Sequence, residues 1–387
     1  MKKILFTSAA ANMIWQFNKR NIEMLLKQGN IEIHVATNFL NPGTLDAEQT
    51  QVMVEWMSLN GVHIHQIDFK RGLGSLFGNI SAMVKIRKII SENDISLIHT
   101  QSPIGSVLTR LAQIGLNVKV IYTAHGFHFY NGAPFLYWII FFPIELILSS
   151  TVDVLVTIND EDMKRAKRFF AKRTVMIPGV GVDVLGGIER IDSGDQKVFR
   201  KEIRDSLGIS YDDVLILNVG ELSNRKNQIY LLRAVLKLNN PHVHVALAGI
   251  GPNKHMLDNF VLQNGLSNQV HFLGYRTDIS ELHFAADLNV FPSKQEGLAI
   301  GGLESVADGL YILGSDRRGI RDYILSDEIG KTFSLQDEGY ELVQQMQEFV
   351  ENPKRISTEV IGDLLMKFDM KNVDEMMLDV YLSELQP

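Results

Sequence analysis

Short apolar runs and helical stretches alternate from the first residues of this chain. That alternation limits the folds open to it more than any other feature. Ile4–Thr7, Ile31–Thr37, Val62–Ile67, Leu97–Thr100, Val118–Thr123 and Val152–Ile158 read as strands. Between them, Phe17–Lys27, Leu76–Ile90 and Ile104–Ile114 carry apolar residues at helical spacing. Repeated β-α-β units demand a parallel sheet with helices on both faces. The pattern resumes with strands at Val214–Val219, His244–Ala248 and Leu288–Phe291, and a chain of 387 residues has room for two such domains.

Parallel sheets bind ligands beyond the carboxyl ends of their strands, so the loops after the strands are where chemistry is expected. A net charge of -7 argues against general nucleic-acid binding, and the absence of cysteine excludes disulfides and thiolate metal sites. The apolar run at the N-terminus is three residues long and fits a first strand rather than a signal peptide. Pro134–Leu148 is the longest apolar stretch. It falls short of the roughly 20 residues that span a bilayer, and Pro143 and Glu145 interrupt it. It reads either as a buried helix or as an apolar shelf. Joined to the cations Lys164, Arg165, Lys167, Arg168, Lys172 and Arg173, which follow on a basic helix, such a shelf could rest on an anionic membrane.

Three loops carry the chemistry. After Phe291 come Glu296 and Glu304, with seven residues between them, one in a strand-to-helix loop and one about a turn into the helix. The helix N-terminus between them favours an anion, because its first amides lack partners and the dipole is positive there. After Val219 comes Gly220-Glu-Leu-Ser-Asn-Arg-Lys-Asn-Gln228, where Arg225 and Lys226 offer an anion charge-assisted hydrogen bonds. After Thr123 comes Ala124-His-Gly-Phe-His-Phe-Tyr-Asn-Gly132, where the imidazoles of His125 and His128 can donate or accept hydrogen bonds to a ligand. His99 also ends a strand and reads as structural or as part of a site rim. Asp160-Glu-Asp162 formally matches a D-x-D metal motif, but acids ahead of a helix and cations behind them are what capping and the dipole favour.

Taken in order, His125 within HGFHF, Arg225-Lys226, and Glu296 with Glu304 resemble the retaining glycosyltransferases of family 4, and within them a bacterial surface-polysaccharide subgroup. The resemblance covers nearly the whole chain. It implies an α/β chain of the GT-B fold: two Rossmann-like domains facing each other across a cleft. The implied layout is an acceptor-side domain over 1–182, a linker over 183–197, a nucleotide-sugar domain over 198–365, and a last segment over 366–387 that crosses back to the first domain. The resemblance also assigns roles. Arg225 and Lys226 hold the donor diphosphate, Glu296 binds the donor sugar and Glu304 the ribose. Gly297, Leu298, Ala299 and Ile300 line the donor, Gly274, Tyr275 and Arg276 lie against the base, and His125 faces the transferring sugar. Asn12 and His128 belong to the acceptor side. The first loop, Ser8-Ala-Ala-Ala-Asn12, has alanines where many members have glycine, so no diphosphate cradle is expected there.

The implied activity is metal-independent, retaining transfer of a hexose or N-acetylhexosamine. The donor is a nucleotide sugar, UDP-linked by expectation, and no cofactor is expected. The implied acceptor is a polyprenyl-diphosphate-linked glycan in bacterial polysaccharide synthesis. A cytoplasmic protein, peripheral on the inner face of the membrane, fits that acceptor. Two rivals share the fold: a UDP-sugar 2-epimerase and a non-catalytic partner subunit. The chain departs from the family pattern at Ala299, Gly301, Gly302 and Tyr311.

Overall fold

Every strand pairing within the two sheets is parallel, and the strands away from the sheet edges are largely buried on both faces. The computed structural model describes residues 1–70, 72, 74–194 and 196–386. These divide into two compact units: Met1–Val180 together with Val373–Pro387, and Gly181–Asn372.

The first unit holds β1 (Lys2–Thr7), β2 (Ile31–Thr37), β3 (His63–Gln66), β4 (Leu97–Gln101), β5 (Lys119–Ala124), β6 (Val154–Thr157) and β7 (Arg173–Met176), in the order β3-β2-β1-β4-β5-β6-β7. Its helices are α1 (Ala11–Leu26), α2 (Ala47–Leu59), α3 (Leu76–Glu92), α4 (Pro103–Ala112), α5 (Phe135–Leu148) and α6 (Asp160–Ala166). Alternation along β1 shows the two-sided core: Ile4 and Phe6 pack with residues of α1 and α2, while Leu5 packs with residues of α3 and α4.

The second unit begins with α7 (Val184–Asp192) and α8 (Gln196–Leu207). Its strands are β8 (Val214–Val219), β9 (Val243–Ala248), β10 (Val270–Gly274), β11 (Leu288–Phe291), β12 (Ile312–Ser315) and β13 (Gly330–Phe333), in the order β10-β9-β8-β11-β12-β13. The covering helices are α9 (Gln228–Leu238), α10 (Lys254–Gln263), α11 (Ile279–Ala285), α12 (Ile300–Ala307), α13 (Tyr340–Glu351) and α14 (Thr358–Leu365), and α15 (Met370–Leu385) ends the chain.

Two expectations need correction. The segment 183–197 is not a surface linker: Val184–Asp192 is helical, capped by the Asp183 side chain on Gly186 N–H at 3.0 Å. Gly187 lies so close to α12 that an added Cβ would stand 2.3 Å from the Ala307 carbonyl oxygen. Asp195 of that segment, and Pro387 of the last one, lie outside the described residues. The basic helix is shorter than its run of cations, because α6 stops at Ala166 and Arg173 opens strand β7.

The last helix belongs to the core of the first unit. Val373, Met377, Val380 and Tyr381 bury among Ile4, Phe6 and Ile14. Arg20 grips Asp374 through Nε at 3.1 Å and Nη2 at 2.5 Å. His99 locks the same helix to the sheet: its Nδ1 accepts from the Tyr381 hydroxyl at 2.6 Å, and its Nε2–H donates to Thr123 Oγ1 at 2.8 Å. Burial pushes the His99 imidazole down to about 3. The unfolded chain therefore binds this proton more readily than the folded one. The stabilisation is complete above about pH 6.5 and drains away as pH falls toward the folded value. From about pH 6.5 to about pH 5 the loss from His99 alone is about 2 kcal/mol. Urea unfolding at those two pH values measures it. His99→Gln lowers stability at neutral pH and flattens the dependence by that amount.

Candidate active site

The site in the second unit is built on two loops that leave neighbouring strands. β8 and β11 pair side by side, so the loops after Val219 and after Phe291 emerge together. Asn227 turns the first loop into α9 with φ at +60°, a conformation Asn tolerates better than most residues, and its Nδ2 donates to the Pro292 carbonyl at 3.1 Å. Lys294 N–H donates to the Arg225 carbonyl at 2.8 Å. Ser315 Oγ donates to the Ser293 carbonyl at 2.6 Å, and buried Arg318 donates to the Glu296 carbonyl at 3.0 Å. Both loops are thus held by backbone contacts independent of what their charged side chains do.

Those side chains converge. Glu296 is buried, and Arg225 Nη1 reaches its Oε2 at 2.9 Å while Lys226 Nζ reaches its Oε1 at 2.8 Å. Burial pushes the Glu296 carboxyl up, but Lys226 and then Arg225 outweigh it and hold the group below the usual carboxylate range. Lys226 also stands 4.7 Å over the Phe291 ring, which fixes it from beneath. Arg225 remains 44% exposed and Lys226 15%. Two cations on one carboxylate leave a net positive charge, open to solvent and able to accept an anion.

The remaining residues expected at the donor fall into distinct settings. Gly297 and Ile300 are half-buried, whereas Leu298 and Ala299 bury their side chains, so the latter two can offer a ligand only backbone. No side chain caps α12 at Ala299. Glu304 opens to solvent on α12. Desolvation raises its carboxyl above the usual value, His283 opposes this, and Asp308 adds a smaller push upward. Among the described residues Arg225 and Lys226 form ion pairs with Glu296 and not with Glu304. Gly274 ends β10 with φ at +68°, and Tyr275 beside it is exposed. The Arg276 guanidinium is engaged by Asp278, Nε to Oδ1 at 2.7 Å, so its side chain is committed within the protein.

In the first unit His125 follows β5. Its Nε2–H donates to Gln101 Oε1 at 2.7 Å, and its ring lies 4.2 Å from Phe17. Burial holds it down to about 4, so it is neutral at physiological pH. Nδ1 is left as an acceptor with no hydrogen-bond partner among the described residues. His125 and His128 line one cavity of about 440 Å³ with Met13, Ser102, Tyr122 and Phe141. His128 stacks on Phe141 at 4.5 Å. Asn12 lies in the first turn of α1, where its amide donates to Thr44 at 3.1 Å, and it does not line this cavity.

Three supporting residues were missed from the sequence. Gln101 sets the His125 tautomer and is itself fixed by donating to the Met13 carbonyl at 2.9 Å. Glu161 and Asp162 pin the histidine loop, accepting from Asn131 N–H at 2.8 Å and Phe127 N–H at 3.1 Å. A polar residue at the end of a strand, as in Thr100-Gln-Ser102, was the available signal for Gln101.

Comparison with known proteins decides what this geometry belongs to. Residues 21–184 match the model of Glycosyltransferase Family 4, and residues 199–359 match that of Glycosyl transferases group 1. EpsD of Bacillus subtilis (strain 168), named as a glycosyltransferase with no donor or acceptor in its name, is 32% identical over 312 residues, 78% of this chain and 80% of EpsD. The chain belongs to glycosyltransferase family 4. A UDP-Gal:alpha-D-GlcNAc-diphosphoundecaprenol alpha-1,3-galactosyltransferase of Escherichia coli is 25% identical, over 68% of each chain. The GT-B fold is shared with Anabaena HepE solved with UDP and glucose, at a TM-score of 0.74 and 16% identity over 99% of this chain and 100% of that one.

Two of the positions where this family 4 member departs from the usual pattern, Gly302 and Tyr311, are accommodated by packing, and nothing in the structure explains Gly301. A Cβ on Gly302 would stand 2.1 Å from the hydroxyl of fully buried Tyr323, so glycine here makes room for that ring. A Cβ on Gly301 would meet nothing closer than the Val219 carbonyl oxygen at 3.8 Å. Tyr311 is buried and stacks on Phe349 at 5.7 Å. None of the three contacts Arg225, Lys226 or Glu296 among the interactions described.

Proposed function

We propose that this family 4 glycosyltransferase is a retaining, metal-independent enzyme. It moves a hexose or N-acetylhexosamine from a UDP-sugar to a polyprenyl-diphosphate-linked glycan in bacterial polysaccharide synthesis. The observation that carries the reading is the convergence of Arg225 and Lys226 on buried Glu296. In this account the donor diphosphate takes over the two cations, whose charge then stabilises the departing UDP. Glu296, released from them, accepts hydrogen bonds from the donor sugar. Glu304 takes the ribose hydroxyls. The acceptor oxygen bonds to the anomeric carbon on the face the UDP leaves, and its proton passes to the departing phosphate oxygen, so no separate general base is needed. His125 Nδ1 accepts from a substrate hydroxyl.

The donor class draws support from the UDP in HepE and in the name of the Escherichia coli relative, whose name also specifies a diphosphoundecaprenol acceptor. For the lipid, α5 offers an outward apolar face: Phe135 is 78% exposed, Leu136 59%, Ile139 55% and Ile147 65%. Beside it, Arg165 stacks over Trp138 of α5 at 5.2 Å, and Lys164, Lys167 and Arg168 are exposed. No helix of the described residues is long and apolar enough to cross a membrane. An apolar helix flanked by cations suits attachment to the inner face of an anionic membrane.

Radiolabelled UDP-sugars incubated with the protein and a membrane lipid extract test the proposal. Label is expected in the lipid fraction, with the anomeric configuration of the donor retained. Interconversion of free UDP-sugars would identify an epimerase instead, and no turnover at all would identify a non-catalytic partner.

A further inference from the structure

Four residues that no part of the transfer reaction uses come together on one edge of the first sheet. β3 is the edge strand and β2 its neighbour, and in their register His34 stands opposite His63 while Ala36 stands opposite His65. Side chains two apart on a strand share a face, and so do directly opposed residues. Glu32 and His34 on β2 therefore project on the same side as His63 and His65 on β3.

The geometry is close. His34 Nε2 lies 2.8 Å from Glu32 Oε1, and His63 Nε2 lies 3.5 Å from the same oxygen. One ligand atom from each of Glu32, His34 and His63 falls within 4.8 Å of the others. Four ligands held tetrahedrally at about 2.0–2.1 Å from zinc stand about 3.3 Å from one another, so small side-chain shifts suffice. His34 is buried, with its Nδ1 2.9 Å from His65 Nε2. A metal-bound imidazole characteristically donates its other N–H to such a partner, which fixes tautomer and ring orientation. His63 stacks on the His34 ring at 4.6 Å, and its side chain is 55% exposed, leaving solvent access for a fourth ligand. Two neutral imidazoles and a carboxylate suit a borderline-soft divalent cation.

We propose that Glu32, His34 and His63 form a zinc-class cation site, with His65 as the positioning residue behind His34. The site belongs to the first unit and shares no residue with the donor set. Lys3, 3.7 Å from Glu32, is the local cation that bound metal displaces.

The sequence carries the signal as Glu32-Ile-His34 and His63-Ile-His65, two x-spaced pairs on adjacent strands. It was overlooked because the spacing between the pairs becomes contact only through strand register.

Calorimetric titration of Zn²⁺ into the full chain tests the site, with the unfolding midpoint recorded alongside. One zinc per chain with a raised midpoint is expected. His63→Ala, a change at a largely exposed side chain, and Glu32→Gln each weaken this binding at least about tenfold, and His65→Ala weakens it about 10- to 100-fold. UDP affinity stays unchanged in all three. A second histidine patch exists in the other unit, where His242 lies 2.8 Å from Asp213 and His244 lies 3.2 Å from His271. Zinc binding that persists at full strength in His63→Ala and Glu32→Gln would place the metal there or elsewhere and overturn the proposal. So would a wild-type chain that takes up no zinc.

Discussion

Glu296→Gln lowers kcat/KM for sugar transfer by about 1,000-fold, the size of effect seen when one group aimed at a transition state is removed. The same substitution leaves UDP bound at least as tightly as before. The pairing of these two results follows from the structure. The Glu296 carboxylate pairs with both Arg225 and Lys226. A diphosphate must take those cations from it, so the carboxylate competes with the ligand it later helps to process. Glutamine keeps the size but gives up the charge and puts an NH2 donor where one carboxylate oxygen accepted, which removes the competition and breaks the paired contact to the sugar hydroxyls. The loops stay in place because Asn227, Ser315 and Arg318 hold them by backbone contacts that the substitution does not touch. Kinetics and calorimetry on one variant check both halves. Turnover near the wild-type rate would remove Glu296 from the mechanism.

Glu145→Ala destabilises the first unit by about 3–5 kcal/mol, the cost of leaving a buried charge without its partner. The residue at risk is Arg110, whose side chain is fully buried. Its Nη1 meets Glu145 Oε2 at 2.9 Å, its guanidinium stacks 4.2 Å from the Tyr122 ring, and the Tyr122 hydroxyl donates to Glu145 Oε1 at 3.1 Å. Removing the carboxylate strands a guanidinium and a phenol together, inside a wall of the cavity that His125 lines. Replacing both members, Arg110→Met with Glu145→Leu, recovers most of the loss, since apolar side chains of similar volume carry no desolvation penalty. Denaturant unfolding of the single and double variants measures the difference. A single variant as stable as wild type would show that the pair contributes nothing.

How far the sequence led differs from element to element. The parallel sheets were legible where a strand buried on both faces is a nearly continuous apolar run, as in Val214–Val219. Arg225, Lys226 and Glu296 stood out as candidates because each lies in a loop that follows a strand, where ligands collect, and the structure brings their side chains together. Strand β7 and helix α7 were not legible. Arg173–Met176 is short and begins with a cation, and Val184–Asp192 contains two glycines, one of which is needed for contact with Ala307. Glu145 looked like an interruption of an apolar run because its partner Arg110 is 35 residues away, and only the fold brings the two together. Likewise Gly302 read only as a departure from the family pattern, and its reason is the Tyr323 ring packed against it. In each of these cases the missing information was a contact distant in sequence, which neither composition nor periodicity carries.

The central claim is that Arg225 and Lys226 form the seat of a nucleoside diphosphate. Calorimetric titration of UDP into the wild-type chain, Lys226→Ala and the Arg225→Ala, Lys226→Ala double variant addresses it most directly. One charge-assisted contact contributes about 1.5–3 kcal/mol, so affinity should fall about 10- to 100-fold in the single variant and further in the double. Equal UDP affinity in all three proteins would contradict the account.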